Sequence, residues 1–427
     1  MQLYSRHELK KKLRGAREVI LAIIAFSAAV SCALAFCLNI PRQRILALGE
    51  HISQTSSDSV FVPTSNDCIR IAETISVRRS DEPKIFRNRS LGSWKPVHNT
   101  PFLSDGPCQT YKSKYTPYND SSLSQSVCSS IKKCINAKSV ILLRTTSSVK
   151  ITPEKIAFFR SLVVEAGWSS NQHVVFLVHH NQFENSTAEQ KQLILKESTI
   201  PVEFHPLCFV FTDGDVYDAF NIYDSQYFDA HTTFAYFMQL HPQYDFGWMI
   251  EDDVRYTGRW NELFHNVDVL WRQRNPNKRE GPDFVSFEDI CEPSLDWEHY
   301  KSCASLFPRS GQRHTLGVVV GWSRRLTDYV IERLDRGENC YSEIFAPSIA
   351  HNKSLNSLFV PHTLFTDNEV NKNLGRVPSC SNSLPGQEGT PGGWTYRCDG
   401  GTARRFYNTW KIYGSCFPAA LLHPVKI

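Results

Sequence analysis

Three adjacent carboxylates, Glu251-Asp252-Asp253, end the apolar run Phe246-Gly247-Trp248-Met249-Ile250. Two carboxylates about 4 Å apart repel by about 4 kcal/mol at the effective dielectric of ~20 that suits a protein cleft, and a divalent cation reverses that sign. On an exposed turn, salt and water screen most of the same repulsion. The run in front of the triplet decides between these settings. It predicts a strand buried on both faces, so the carboxylates fall where the strand leaves a sheet, the edge at which open α/β sheets bind ligands. A hard cation, or a phosphate bridged by one, suits such a group of oxygens.

Other residues compete for this chemistry or complete it. Asp213-Gly214-Asp215, after the apolar Cys208-Phe209-Val210-Phe211, is a rival acidic pair. Its glycine predicts a tight turn, where aspartates bond their own backbone. Glu288-Asp289 follows Phe284-Val285-Ser286-Phe287 and offers a general base or an acceptor ligand, with a solvated loop as the alternative. Neither Asp213-Gly214-Asp215 nor the triplet has a histidine within a few residues, which disfavours the His-rich two-metal sites of hydrolases. No two cysteines show C-x-x-C spacing, so a structural zinc site is not expected. Trp322 and Trp394-Thr395-Tyr396 offer faces for stacking, although a lone tryptophan is more often core.

These residues need a frame, and strand and helix patterns alternate from Ser139 onward. Val140–Leu143, Val174–Val178, Leu207–Phe211, Phe246–Ile250, Asp283–Phe287 and Leu316–Val320 read as short buried strands. Thr152-Pro153-Glu154 reads as the start of a helix running to about Ala166, and Phe228–Leu240, Arg325–Arg336 and Ile344–Lys353 as further helices. That order implies an α/β domain with a mostly parallel sheet flanked by helices. It occupies residues 139–370 of a body spanning 106–427, and the Pro-, Gly- and Asn-rich 371–427 reads as an irregular, disulfide-held region that could contribute to an acceptor pocket or a lid.

The chain has 427 residues and a formal net charge of +4, and residues 1–18 carry all of that excess. The remaining 409 hold 41 basic and 41 acidic residues, which argues against a nucleic-acid partner. Residues 19–40 contain no charge and, as a helix of 22 residues, reach about 33 Å. A transmembrane signal anchor is expected there, with 1–18 as a cytoplasmic tail, since basic residues in front outnumber Arg42 and Arg44 behind. Cleavage after Ala33-Leu34-Ala35 is the competing possibility. Residues 41–105, rich in Ser, Thr, Pro, Asn and Arg, read as a stem. Such a type II arrangement places the body in an oxidising lumen, where most of the eleven cysteines beyond the anchor should pair and Asn88, Asn119, Asn185 and Asn352 are glycan acceptors. The short, alanine-rich span favours a Golgi or endoplasmic-reticulum membrane.

At the triplet the sequence resembles glycosyltransferases of the GT-A type. Trp248-Met249-Ile250-Glu251-Asp252-Asp253-Val254 is similar to the W-x-x-E-P-D-V signature of fungal α-1,2-mannosyltransferases, with Asp252 in place of the proline. Asp253-Val254-Arg255-Tyr256-Thr257-Gly258 is similar to the D-V-R-Y-T-G segment of a large uncharacterised fungal and algal family. The resemblance implies a GT-A-like (Rossmann-like) fold, Mn²⁺ or Mg²⁺ on Glu251 and Asp253, a nucleotide-sugar donor and a glycan or glycoprotein acceptor. It further implies donor binding near Arg144, Thr145, Asp252 and Arg255, with Asp213 and Asp215 lining the donor site from a second strand edge. Arg255 has an equal alternative as a partner of the triplet. Glu288, Asp289 and Glu343 are the candidate catalytic carboxylates. Glu343 precedes Ala346-Pro347-Ser348-Ile349-Ala350, which resembles a mannosyltransferase segment, A-P-x-H-S-I-A, near which a histidine binds the metal. Here no histidine stands at that offset, and His351 and His362 read better as surface residues. A lumenal metal-dependent hydrolase and an anchored lectin-like ectodomain are the alternative functions.

Overall fold

The computed structural model describes residues 94–98, 109–119 and 137–426, apart from 169, 171, 183, 223–229, 294, 296–297, 368–394, 397–400 and 415–417. In chain order the elements are β1 (Trp94–His98), α1 (Tyr111–Tyr115), β2 (Ser139–Thr146), α2 (Pro153–Leu162), β3 (His173–His180), α3 (Ala188–Glu197), β4 (Cys208–Thr212), α4 (Asp213–Phe220), α5 (Ala230–Leu240) and β5 (Phe246–Glu251). There follow β6 (Arg255–Tyr256), α6 (Trp260–Arg274), β7 (Phe284–Ser286), β8 (Val319–Ser323), α7 (Arg324–Asp335), α8 (Ser342–Asn352), β9 (Ser357–Phe359), β10 (Leu364–Asp367), α9 (Thr402–Tyr413) and β11 (Leu421–Leu422). The expected anchor, the stem and Asn88 lie outside the described residues. Among those described, no helix is long and apolar enough to cross a membrane.

Seven strands form the main sheet in the order β4-β3-β2-β5-β8-β7-β9. The first four are mutually parallel, β8 runs antiparallel to both its neighbours, and β7 and β9 are parallel. Because strand side chains alternate between faces, each strand feeds two cores. Ile141, Leu143, Phe176, Trp248 and Ile250 pack with residues of α2, α6 and α9 on one side. Val140, Leu142, Leu177, Met249 and Trp322 pack with α5, α7 and α8 on the other. Helix α5 lies so close on β5 that a Cβ on Gly247 would come within 2.6 Å of the Phe234 ring, which fixes glycine in the strand that carries the triplet.

Local chemistry starts the helices. Thr152 Oγ1 accepts the Lys155 N–H and Pro153 occupies the first turn of α2, as the sequence predicts. Asp213-Gly214-Asp215 corrects the expectation of a turn. Thr212 caps α4 and Asp215 returns a bond to the Thr212 N–H, so the acidic pair forms the first turn of a helix, where carboxylates meet its positive end. The strand expected at Leu316–Val320 is displaced to Val319–Ser323. Residues 315–318 pass beyond the sheet edge and bond instead to the segment of Glu343 and to Glu251, through Thr315 N–Glu343 O at 3.1 Å and Glu251 N–Val318 O at 3.0 Å. The region expected to be irregular contains α9, whose Ala403, Phe406, Tyr407 and Trp410 form a buried stripe. Cys303 and Cys340 form a disulfide, Cys291 is disulfide-bonded too, and the Cys208 thiol donates to the Phe204 carbonyl.

Asp283 fastens the start of β7. It is 2 % exposed and accepts from Arg325 at 3.0 and 2.6 Å, from the Ser323 hydroxyl at 2.7 Å and from the Asn356 N–H at 2.9 Å. Burial pushes its pKa up, but these donors outweigh burial and hold it below the ordinary carboxylate range. A depressed carboxyl stabilises the fold above its unfolded pKa, and that contribution is lost as pH falls through the folded value. Asp283→Asn should therefore cost about 1–2 kcal/mol at neutral pH and flatten the fall in stability below about pH 4, measured by urea unfolding across pH.

Of the expected glycan acceptors, Asn119, Asn185 and Asn352 are exposed. Asn185 donates its amide to Asp218. Asn352 spends its amide on the carbonyls of Gly311 at 2.6 Å and Ser348 at 2.7 Å, so a glycan there would break an internal bond.

Candidate metal centre

Strand register builds the site at the carboxyl edge of the sheet. Arg144 near the end of β2 stands beside Glu251 at the end of β5, and its Nη1 donates to Glu251 Oε1 at 2.8 Å. Two residues on, Asp253 leaves the sheet in the turn before β6. The third member comes from the far end of the chain. Strand β11 pairs antiparallel with β6, Leu422 opposite Arg255 and Leu421 opposite Tyr256, so the next residue, His423, falls beside the triplet. A bond from Val425 N to Asp253 O at 2.8 Å holds it there.

His423 Nε2 lies 3.4 Å from Asp253 Oδ1 and 3.6 Å from Glu251 Oε2. One ligand atom from each of the three residues lies within 4.8 Å of the others. Burial alone pushes the imidazole down, but the two carboxylates outweigh it and lift His423 to about 9. Burial pushes both carboxylates up, and His423 outweighs it at each, with Arg144 helping at Glu251, so both stay below their ordinary values. Asp253 Oδ1 is buried and, among the described residues, has no hydrogen-bond partner. A donor set of two carboxylates and an imidazole, whose buried Asp253 oxygen is held, among the described residues, only by the ion pair to that imidazole, fits a divalent cation.

The cluster stands at a cavity of about 170 Å³, which Arg144, Glu343, Lys426, Met249, Trp322 and His231 also line. Burial raises Glu343, the nearby Glu288 and Glu251 raise it further, and the Gly317 N–H only partly opposes them, so its carboxyl is pushed up to about 8. Glu288 Oε2 accepts the Leu316 N–H at 2.9 Å. Glu343 and Glu288 are thus near one another, and Glu343 lines the cavity while Glu288 and Asp289 do not.

The remaining candidates fall elsewhere. Asp252 turns away from the cavity, accepting the Thr145 hydroxyl at 2.7 Å and facing Lys155 Nζ at 3.3 Å. Arg255 is fully buried, lies 4.2 Å over the Phe158 ring and donates to the carbonyls of Asp252 and Val254, so it braces the triplet's backbone rather than meeting phosphate. Asp213 pairs with His179 at 3.2 Å, and Asp215 with Lys191 at 2.9 Å. Neither lines the cavity. His351 is exposed as expected, whereas His362 is 4 % exposed and packs against Tyr396 and Phe287. The sequence reading missed His423, which lies in Leu421-Leu422-His423-Pro424-Val425, a short apolar run inside the segment taken as irregular.

The rest of the D-V-R-Y-T-G segment secures that tail. The Thr257 hydroxyl accepts the Ala420 N–H at 2.8 Å, and the Thr257 N–H donates to Ala420 O at 3.0 Å. Thr257→Val keeps the backbone bond and loses the hydroxyl, and should weaken Mn²⁺ affinity about tenfold by calorimetric titration, the usual cost of disturbing a ligand's support.

The profile of a family described as "Protein of unknown function (DUF3405)" matches residues 107–280. No curated protein is significantly similar in sequence. Among solved structures, the chain is similar to the WbbM bifunctional glycosyltransferase in its apo form, at 11% identity and a TM-score of 0.30, over 53% of this chain and 39% of that one. The chain thus spans well under half of WbbM. It is also similar to the mannosyltransferase Ktr4p from S. cerevisiae, at 10% identity and a TM-score of 0.28, over 76% of this chain and 86% of that one.

Proposed function

We propose that this protein is a metal-dependent glycosyltransferase that moves a sugar from a nucleotide-sugar donor to a glycan or glycoprotein acceptor. The observation that carries this is the cluster of Glu251, Asp253 and His423 beside a cavity at the carboxyl edge of the sheet. Two of its three residues, Glu251 and Asp253, fall in the stretch similar to the W-x-x-E-P-D-V signature of mannosyltransferases, which supports transfer over the other chemistries a cation could serve. A bound divalent cation neutralises the charge that develops on a departing diphosphate. The imidazole in the set favours Mn²⁺ over Mg²⁺, which prefers oxygen ligands.

The chain's own residues do the rest. Arg144 orients Glu251 and adds a positive charge at the cavity mouth, as does the exposed Lys426. Burial and the neighbouring Glu288 raise the Glu343 carboxyl, which suits it to hold or move a proton inside the cavity. The uncharged 19–40 segment supports a membrane-anchored, type II placement in the Golgi or endoplasmic reticulum. The test is hydrolysis of a panel of nucleotide sugars by the full chain, with and without Mn²⁺. Turnover that needs the metal is expected. Metal-dependent cleavage of simple phosphodiesters in its place would establish a hydrolase, and glycan binding without donor turnover a lectin.

A further inference from the structure

The cavity has a polarity gradient. Its charged groups, Arg144, Glu251, Asp253, His423 and Lys426, gather at the sheet edge. Its walls below are Met249, Val320, Phe284 and Pro347. The register shows how deep it runs. Trp322 pairs with Gly247, four residues below Glu251, or roughly 13 Å along the strand. Met249, Glu251 and Trp322 share the sheet face that α5 and α8 cover, so the cavity lies along one face from the edge inward.

Two polar side chains line this apolar part. His231, 1 % exposed, bonds through Nε2 to the side-chain oxygen of Asn339 at 2.6 Å. Nε2 therefore carries the proton and Nδ1 keeps a lone pair. Burial pushes His231 down to about 4, against the Asn339 bond and with help from Arg144, so the ring is neutral at physiological pH. Trp322, 2 % exposed, presents an indole N–H. Neither Nδ1 of His231 nor Nε1 of Trp322 has a hydrogen-bond partner among the described residues. Both side chains line the cavity, and Phe234, one helical turn after His231, packs against Trp322 with ring centroids 4.4 Å apart. A buried acceptor and a buried donor left unmade are costly unless a ligand meets them.

We infer that the deep end of this cavity is a sugar-hydroxyl subsite, in which His231 accepts and Trp322 donates a hydrogen bond to the ring of the donor. The chemistry selects a neutral hydroxylated ring. A lone pair and an N–H together match hydroxyls, which both donate and accept, whereas the oxygens of an anion only accept and would leave the His231 lone pair unmet. The apolar walls suit the C–H face of such a ring, and about 170 Å³ is far more than the ~15 Å³ that one water needs. The charged mouth then faces the diphosphate. This subsite rests on the glycosyltransferase proposal, and its test separates the two.

Calorimetry on the full chain with Mn²⁺ would compare UDP and GDP with UDP-glucose, UDP-galactose, UDP-N-acetylglucosamine and GDP-mannose. At least one sugar should bind more tightly than its parent diphosphate. Trp322→Phe and His231→Leu should each erase about tenfold of that gain while leaving diphosphate affinity unchanged. His231→Gln, which restores an acceptor oxygen, should recover part of it and serves if the leucine variant does not fold. An unchanged gain in both variants, or no gain from any sugar, overturns the subsite and leaves the transferase proposal standing. Failure of both diphosphates to bind the wild-type protein with Mn²⁺ overturns the transferase proposal and the subsite together.

Discussion

On the proposed function, Asp253→Ala should remove Mn²⁺ binding and lower donor turnover about a thousandfold, the equivalent of roughly 4 kcal/mol of transition-state stabilisation. The Asp253 carboxylate has no hydrogen bond on Oδ1 among the described residues and faces His423 Nε2 across an ion pair at 3.4 Å, so the variant removes a ligand and one side-chain ion pair. One retained contact is the backbone bond from Val425 to Asp253, which depends on the carbonyl and not on the side chain. Thermal stability of the metal-free variant should therefore stay near wild type. Full turnover in Asp253→Ala would exclude the cluster from the reaction. Asp252→Asn, by contrast, lies outside the cavity and should leave Mn²⁺ affinity within a few-fold, since its partners are Thr145 and Lys155.

The largest effect on stability is expected at Glu165. Its carboxylate accepts Lys114 Nζ at 2.7 Å, the Tyr118 hydroxyl at 2.9 Å and the Trp260 N–H at 2.9 Å. The ion pair is almost wholly buried, with side-chain exposures of 0% and 2%. Glu165→Leu leaves the buried Lys114 ammonium its bond to the Gly258 carbonyl at 2.6 Å but removes the carboxylate it pairs with and the acceptor of two further donors, and such a loss costs about 3–5 kcal/mol. Thermal unfolding should fall by about 10 °C. The double variant Lys114→Met with Glu165→Leu should recover much of that, because the uncompensated charge, more than the lost pair, carries the cost. No recovery in the double variant would mean that the Tyr118 and Trp260 bonds dominate.

The sheet was legible because its strands are short apolar runs and its first helices begin on Thr-Pro or amphipathic patterns, signals confined to a few neighbouring residues. Glu251 and Asp253 were legible for the same reason, since the run that buries β5 also aims its end at the sheet edge. Asp252 and Arg255 show the limit of that logic. Adjacent side chains leave a strand end in opposite directions, and only the packing of Thr145, Lys155 and Phe158 reveals which of them turns inward. His423 was hidden for a different reason: its place depends on a two-residue ladder between segments far apart in the chain, too short to leave a periodic mark. The acidic turn at Asp213 became a helix because the Thr212 cap outweighs the glycine, a contest that composition alone does not decide.

The cluster also ties together two stretches that lie far apart in the chain. Glu251 and Asp253 belong to the parallel half of the sheet, whereas His423 arrives on a short ladder held by Thr257, by the backbone bonds of His423 to Thr395 and Val425 to Asp253, and by the buried Leu421, Leu422 and Val425. On the proposed function, an ion gripping all three would act as a clasp on the tail. Its binding energy becomes local stability of that ladder, so depletion of the metal loosens the last strand before the sheet itself yields, and a protease or an exchanging amide would sense the loss first.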